Sequence, residues 1–292
     1  MAKGDVPGEW YSPTQPFPTK PPAFERQGVT VDDLIDFTPE LRAEALKVAA
    51  NYKLGPIFTP PVVSRWPGPL GTLMSPTAGG GANWPGGSFD PETGMFYISS
   101  NPGLTSLGLV KDPSRSDMDF ISGRARDPNA PPPTAGPPGA GGGEGGGAGP
   151  NAQGLPLLKP PYGRITAINL NTGERAWEIA HGETPDNVRN HPALKGLTIP
   201  RTGRAGRVGT LVTKTLLIAG ESGFFTTPSG QRGAMLRAYD KATGKDAGEV
   251  FMPAPQSGSL ISYSLNGRQY IVVPVSGGAY SGEFLAFRLP MN

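Results

Sequence analysis

A short pattern that occurs twice, at a constant offset of 71 residues, limits this chain more than any other feature. The first copy runs Gly163-Arg-Ile-Thr-Ala-Ile-Asn-Leu-Asn-Thr-Gly-Glu-Arg-Ala-Trp-Glu-Ile179, and the second Leu236-Arg-Ala-Tyr-Asp-Lys-Ala-Thr-Gly-Lys245. Ala167 matches Ala238, Asn169 matches Asp240, Thr172 matches Thr243 and Gly173 matches Gly244. Each reads as a hairpin, with Asn171-Thr172-Gly173 at the tip of the first. Asp90-Pro-Glu-Thr-Gly94, followed by Met95-Phe-Tyr-Ile98, is a third and shorter echo. Similarity of this kind argues for repeated four-stranded units.

The rest of the C-terminal part agrees. Thr210-Leu-Val, Leu216-Leu-Ile-Ala, Ser259–Tyr263, Gln269–Val273 and Glu283–Phe287 have strand composition, and Asn266-Gly267 is a hairpin-turn signal. The pattern is antiparallel throughout. One helix is expected, from Pro39 to about Asn51. Thr38 suits its N-cap and Pro39 its first position, and Leu41, Ala45, Val48, Ala49 and Tyr52 fall at helical spacing. Thr30-Val-Asp-Asp33 has the form of a shorter capped turn. Before it, Trp10, Tyr11, Phe17 and Phe24 punctuate a proline-rich arm, a spacing that suits an arm lying along a surface.

Glycine and proline are abundant, 43 and 35 of 292 residues, which suits many short strands joined by turns. Residues 131–150 are a low-complexity linker or insertion. Gly141, Gly143 and Gly146 within it satisfy a dinucleotide-loop spacing, but neither a preceding strand nor a following helix supports that reading. The units are therefore an N-terminal arm and helix (1–53), a strand region (54–130), the linker (131–150) and a second strand region (151–292).

A net charge of +2 with 17% charged residues gives no field for nucleic acid. No cysteine is present, so thiol chemistry and disulfides are excluded. His181 and His191 alone cannot make a usual zinc set, and no compact acidic cluster joins them. Arg201, Arg204 and Arg207 recur at every third residue, a spacing that fits a solvated or sheet-edge row better than an anion site. Glu183–Asn187 reads as a turn and capping cluster. The opening Met-Ala-Lys-Gly-Asp-Val-Pro lacks the apolar core of a secretory leader, and no run is long enough to span a membrane.

One loop remains, Gly79-Gly-Gly-Ala-Asn-Trp-Pro-Gly-Gly-Ser-Phe-Asp-Pro-Glu-Thr-Gly94. Its three opening glycines permit close backbone approach, and Asn83 and Trp84 then project together. On these residues the chain resembles the quinoprotein dehydrogenases that use pyrroloquinoline quinone (PQQ), of the membrane-bound glucose and alcohol dehydrogenase type. The resemblance covers only the C-terminal half of that family.

It implies an all-β fold, about four blades of an eight-bladed β-propeller, with the arm and one short helix as decoration. In the family the repeated hairpin ends in a Trp that docks between adjacent blades. Trp177 holds that position, and Gly248 replaces it in the second copy. The implied reaction oxidises an aldose such as glucose, or an alcohol: a base takes the hydroxyl proton, hydride passes to PQQ, Ca2+ polarises the quinone, and a quinone acceptor takes the electrons. Asn83 and Trp84 are the two residues expected to face the cofactor, Trp84 as edge or wall. The catalytic base and the Ca2+ ligands are expected outside this chain, which would be inactive alone. Its partners would be a missing N-terminal propeller half or a second copy, in a periplasmic or membrane-associated setting. The alternative is a non-catalytic propeller fragment serving as an interaction module.

Overall fold

The computed structural model describes residues 1–130, 149–227 and 229–288. Residues 131–148 of the Gly/Pro-rich stretch, with Gly141, Gly143 and Gly146, lie outside them.

The repeated pattern makes sheets. In the first sheet, strands Gly87–Asp90, Met95–Ser100, Arg164–Asn169 and Glu174–Ala180 lie side by side, all antiparallel. The two middle strands are neighbours in space although the whole stretch 101–163 separates them in sequence. Asp90 and Asn169 each start a turn that closes on a left-handed glycine, Gly94 (φ 70°) and Gly173 (φ 70°). The second sheet repeats the arrangement with Leu211–Val212, Leu216–Gly220, Arg232–Asp240 and Asp246–Met252. The third has three strands, Ile261–Leu265, Arg268–Gly277 and Tyr280–Arg288. Asn266 and Gly267 join the first two of these, both at positive φ (49° and 73°), as a two-residue hairpin requires.

The sheets stack face to face, and the two-residue period of a strand dictates how. Leu217 and Ala219 point to the first sheet, where they bury Tyr97, Ile165 and Ala167. Ile218, between them, points the other way and packs with Leu236, Met252, Val273 and Val275 against the third sheet. A strand buried on both faces has no polar side left, which is why Leu216-Leu-Ile-Ala reads as a continuous apolar run.

Two pins hold the first sheet to the second. Trp177 reaches across so that its indole N–H donates to the Lys241 carbonyl at 3.2 Å, and the Tyr97 hydroxyl donates to the same oxygen at 3.1 Å. The indole lies on Gly244, where a Cβ would come within 2.9 Å of the ring. The Lys241 ammonium returns to Asp90 at 2.7 Å, with both side chains nearly buried.

The N-terminal region has its own core. Helix α1 (Pro39–Ala49) buries Leu41, Ala45 and Ala49 against Val29, Leu34, Ile35, Leu155 and Leu157. The Thr38 hydroxyl accepts from Leu41 N–H at 3.2 Å, the expected cap. Asp33 and Thr30 close a reciprocal cap around the short turn Val31–Asp33. Of the arm's aromatic residues, Trp10 (83% exposed) and Phe17 (53%) face outward. Glu25 goes inward, to Arg164 (3.3 Å) and Ser100 (2.8 Å) beneath the first sheet.

Three details differ from the sequence expectation. The helix stops at Ala49 rather than near Asn51. Asp186–Arg189 closes one extra helical turn, α2, at the end of a stretch read as a turn and capping cluster. Val62–Val63 runs parallel to Thr105–Val110, so the chain is not antiparallel throughout. The long excursion between these two strands gives the chain room for the crossover that parallel pairing demands. Thr105–Val110 shows no period because Gly108 sits in it, where a Cβ would strike the Leu70 carbonyl at 2.6 Å.

Candidate cofactor-facing site

The loop carrying Asn83 and Trp84 enters the first sheet at its Gly87–Asp90 edge. The corresponding edge of the second sheet, Leu211–Val212, lies beside it, and Ser88 Oγ stands 2.6 Å from Thr210 Oγ1. The loops leading into both edges therefore meet. Gly81, Asn83 and Gly86 face Gly206, Arg207 and Val208 across a space of about 10 Å³, room for a single water.

Within this loop Asn83 shapes its own backbone. Its Nδ2 donates to the Gly79 carbonyl (3.1 Å), and its Oδ1 accepts from Trp84 N–H (2.7 Å). One N–H and one lone pair of the amide stay uncommitted by these bonds. Trp84 is 63% exposed, its ring presented outward. The glycines that open the loop do permit a close approach, and the group that approaches is the chain's own Glu25. A Cβ on Gly81 would lie 2.7 Å from Glu25 Cγ.

A second concentration of charge lies in the 181–207 segment and the strands beside it. Arg237 is ringed by three carboxylates: Glu249 at 2.6 Å, Glu221 at 2.7 Å and Glu183 at 3.4 Å. Glu221 is fully buried, and burial pushes its carboxyl above the ordinary range against the pull of Arg237. Arg201 pairs with Asp246 at 3.0 Å. Arg204 is half-buried, and burial lowers its pKa. The arginine spacing therefore does not mark a solvated row. Glu183, read as part of a turn, is an ion-pair member bonded to Arg189 and Arg237. Beside this cluster His181 is buried, with Nδ1 2.9 Å from the Tyr239 hydroxyl and Nε2 3.0 Å from the Gly220 carbonyl. The carbonyl can only accept, so Nε2 carries the proton. Burial holds the ring's pKa down at about 4. These partners come from four separated segments, so nothing local in the sequence announces them.

Comparison with known proteins settles the lineage. Residues 1–271 match the family described as the PQQ glucose/ethanol/alcohol dehydrogenase beta-propeller domain. The chain belongs to this family. Among relatives, quinate/shikimate dehydrogenase (quinone) of Acinetobacter baylyi is 26% identical over 96% of this chain and 33% of that protein. The glycerol dehydrogenase large subunit of Gluconobacter oxydans is 27% identical over 98% of this chain and 38% of its own length. Quinoprotein glucose dehydrogenase A of Acinetobacter calcoaceticus is 27% identical, covering 98% and 33%. The chain thus spans about a third of the length of these relatives.

Asn83 keeps a free amide N–H on a loop tied by its own two hydrogen bonds, beside an exposed indole, a donor set that suits the edge of a flat, anionic quinone. Calcium is different. Among the described residues no group of three or more Asp, Glu or His side chains could hold a metal ion, so the residues present do not fit it. No helix among them is long and apolar enough to cross a membrane.

Proposed function

We propose that this chain is the C-terminal portion of a PQQ-dependent dehydrogenase that oxidises an aldose sugar or an alcohol and passes electrons to a quinone acceptor. The family match over residues 1–271 carries this reading, and the meeting of the 79–86 and 206–208 loops at two neighbouring sheet edges supports it. In this reading the stacked sheets are blades of an eight-bladed propeller, with about four blades supplied here. Bound PQQ supplies a two-electron acceptor. Asn83 holds its anionic edge through the free amide N–H, and Trp84 forms a wall that keeps water from one side.

The third sheet supports the view that more of the ring belongs with this chain. Its outer face exposes Ile261 (57%), Tyr263 (43%), Leu265 (54%) and Phe284 (77%), an apolar patch of the kind a neighbouring blade covers. The base and the Ca2+ ligands would come from that missing N-terminal half, in a periplasmic or membrane-associated enzyme.

The test mixes the purified chain with PQQ and Ca2+, with and without an N-terminal half from a relative, and follows absorbance and dye reduction with glucose or ethanol. Saturable PQQ binding, with turnover only when both halves are present, is the expected result. Absence of PQQ binding in either mixture would leave the chain as an interaction module.

A further inference from the structure

The two gaps between the stacked sheets are built on one plan but filled differently. In the first, Trp177 stands opposite Ala167 on the face of the first sheet that meets the second. In the second sheet the residue opposite Ala238, at the matching register, is Gly248. Both hairpins shift register at the next residue, so the correspondence is structural as well as sequential. A side-chain carbon on Gly248 would meet nothing within 4 Å.

The space left there is a cleft of about 590 Å³ between the second and third sheets. That is the size of a small-molecule site. Leu216, Ile218, Leu236 and Val250 line one wall, and Ile271 and Phe287 the other. Its charge is one-sided. Lys214 stands at the margin, exposed, and its ammonium has no ion-pair or hydrogen-bond partner among the described residues. The one carboxylate in the lining, Glu249, is already held by Arg237 at 2.6 Å.

We propose that this cleft binds a planar aromatic acid. Its ring takes the place that the Trp177 indole fills in the preceding gap, and its carboxylate meets Lys214. The neighbouring gap shows that a flat ring fits such a place: there the Trp177 indole lies on Gly244 and bonds the Lys241 carbonyl. The site is separate from the Asn83–Trp84 loop, and its occupancy does not depend on PQQ.

The probe is indole-3-acetate, titrated into the full chain beside neutral indole and followed by methyl NMR and by thermal shift. Saturable one-to-one binding is expected, with the Leu216, Ile218 and Ile271 methyls moving. The acid should bind tighter than indole by about threefold or more. Val250→Trp, at a position 44% exposed, should fill the cleft and weaken both probes about tenfold. Lys214→Gln should remove most of the acid's advantage and leave indole unchanged; this comparison decides the matter should the Val250 variant misfold. Failure to saturate, equal binding of acid and indole, or binding lost on Phe284→Ser, which would place the probe on the outer face of the third sheet, overturns the proposal.

Discussion

Trp177 contributes an indole face to the core between the first two sheets and a hydrogen bond to the Lys241 carbonyl. Trp177→Ala should cost about 3 kcal/mol of stability in denaturant unfolding, since the cavity it leaves cannot collapse between two rigid sheets. His181 sets a pH limit. Its folded pKa of about 4 lies below the ordinary 6.5, so the stability it protects is complete above pH 6.5. That stability drains away as pH falls from there toward 4, by roughly 3 kcal/mol, because only the unfolded chain takes up the proton in that window. His181→Gln should flatten this limb when unfolding free energy is measured against pH. If the 79–86 loop faces PQQ as proposed, Asn83→Ala should weaken PQQ binding about tenfold by titration. Asn83→Asp should weaken it further, by setting a carboxylate against an anionic edge. Equal affinity in all three proteins would remove Asn83 from the site.

Local elements were legible where the chain carries its own punctuation. The Thr38–Pro39 cap, the Asn266-Gly267 turn and the three Thr-Gly turns each follow from residues within a few positions of one another. Thr38→Ala should accordingly cost about 1 kcal/mol, read from thermal unfolding, because it orphans the Leu41 amide. What stayed hidden depends on distant partners. The neighbour of Met95–Ser100 lies beyond 101–163, and no local pattern names it. The Arg237 cluster joins Glu183, Glu221 and Glu249 from three different segments. For the candidate site the sequence named Asn83 and Trp84. It did not disclose that the Asn83 amide is partly spent on Gly79, nor that the 206–208 loop lies opposite.

At the scale of the molecule, the stacked sheets end on the uncovered face of Ile261, Tyr263, Leu265 and Phe284. Sedimentation of the isolated chain should show association that grows with concentration, and Ile261→Ser with Phe284→Ser should abolish it. Addition of an N-terminal half should suppress that association in the unaltered chain. The divided first sheet bears on how the molecule is made. A ribosome delivers Gly87–Asp90 and Met95–Ser100 well before Arg164–Asn169 exists, so half a sheet waits with a bare edge while the intervening chain emerges. Synthesis slowed between those two points would lengthen the wait, and nascent-chain aggregation should rise with it.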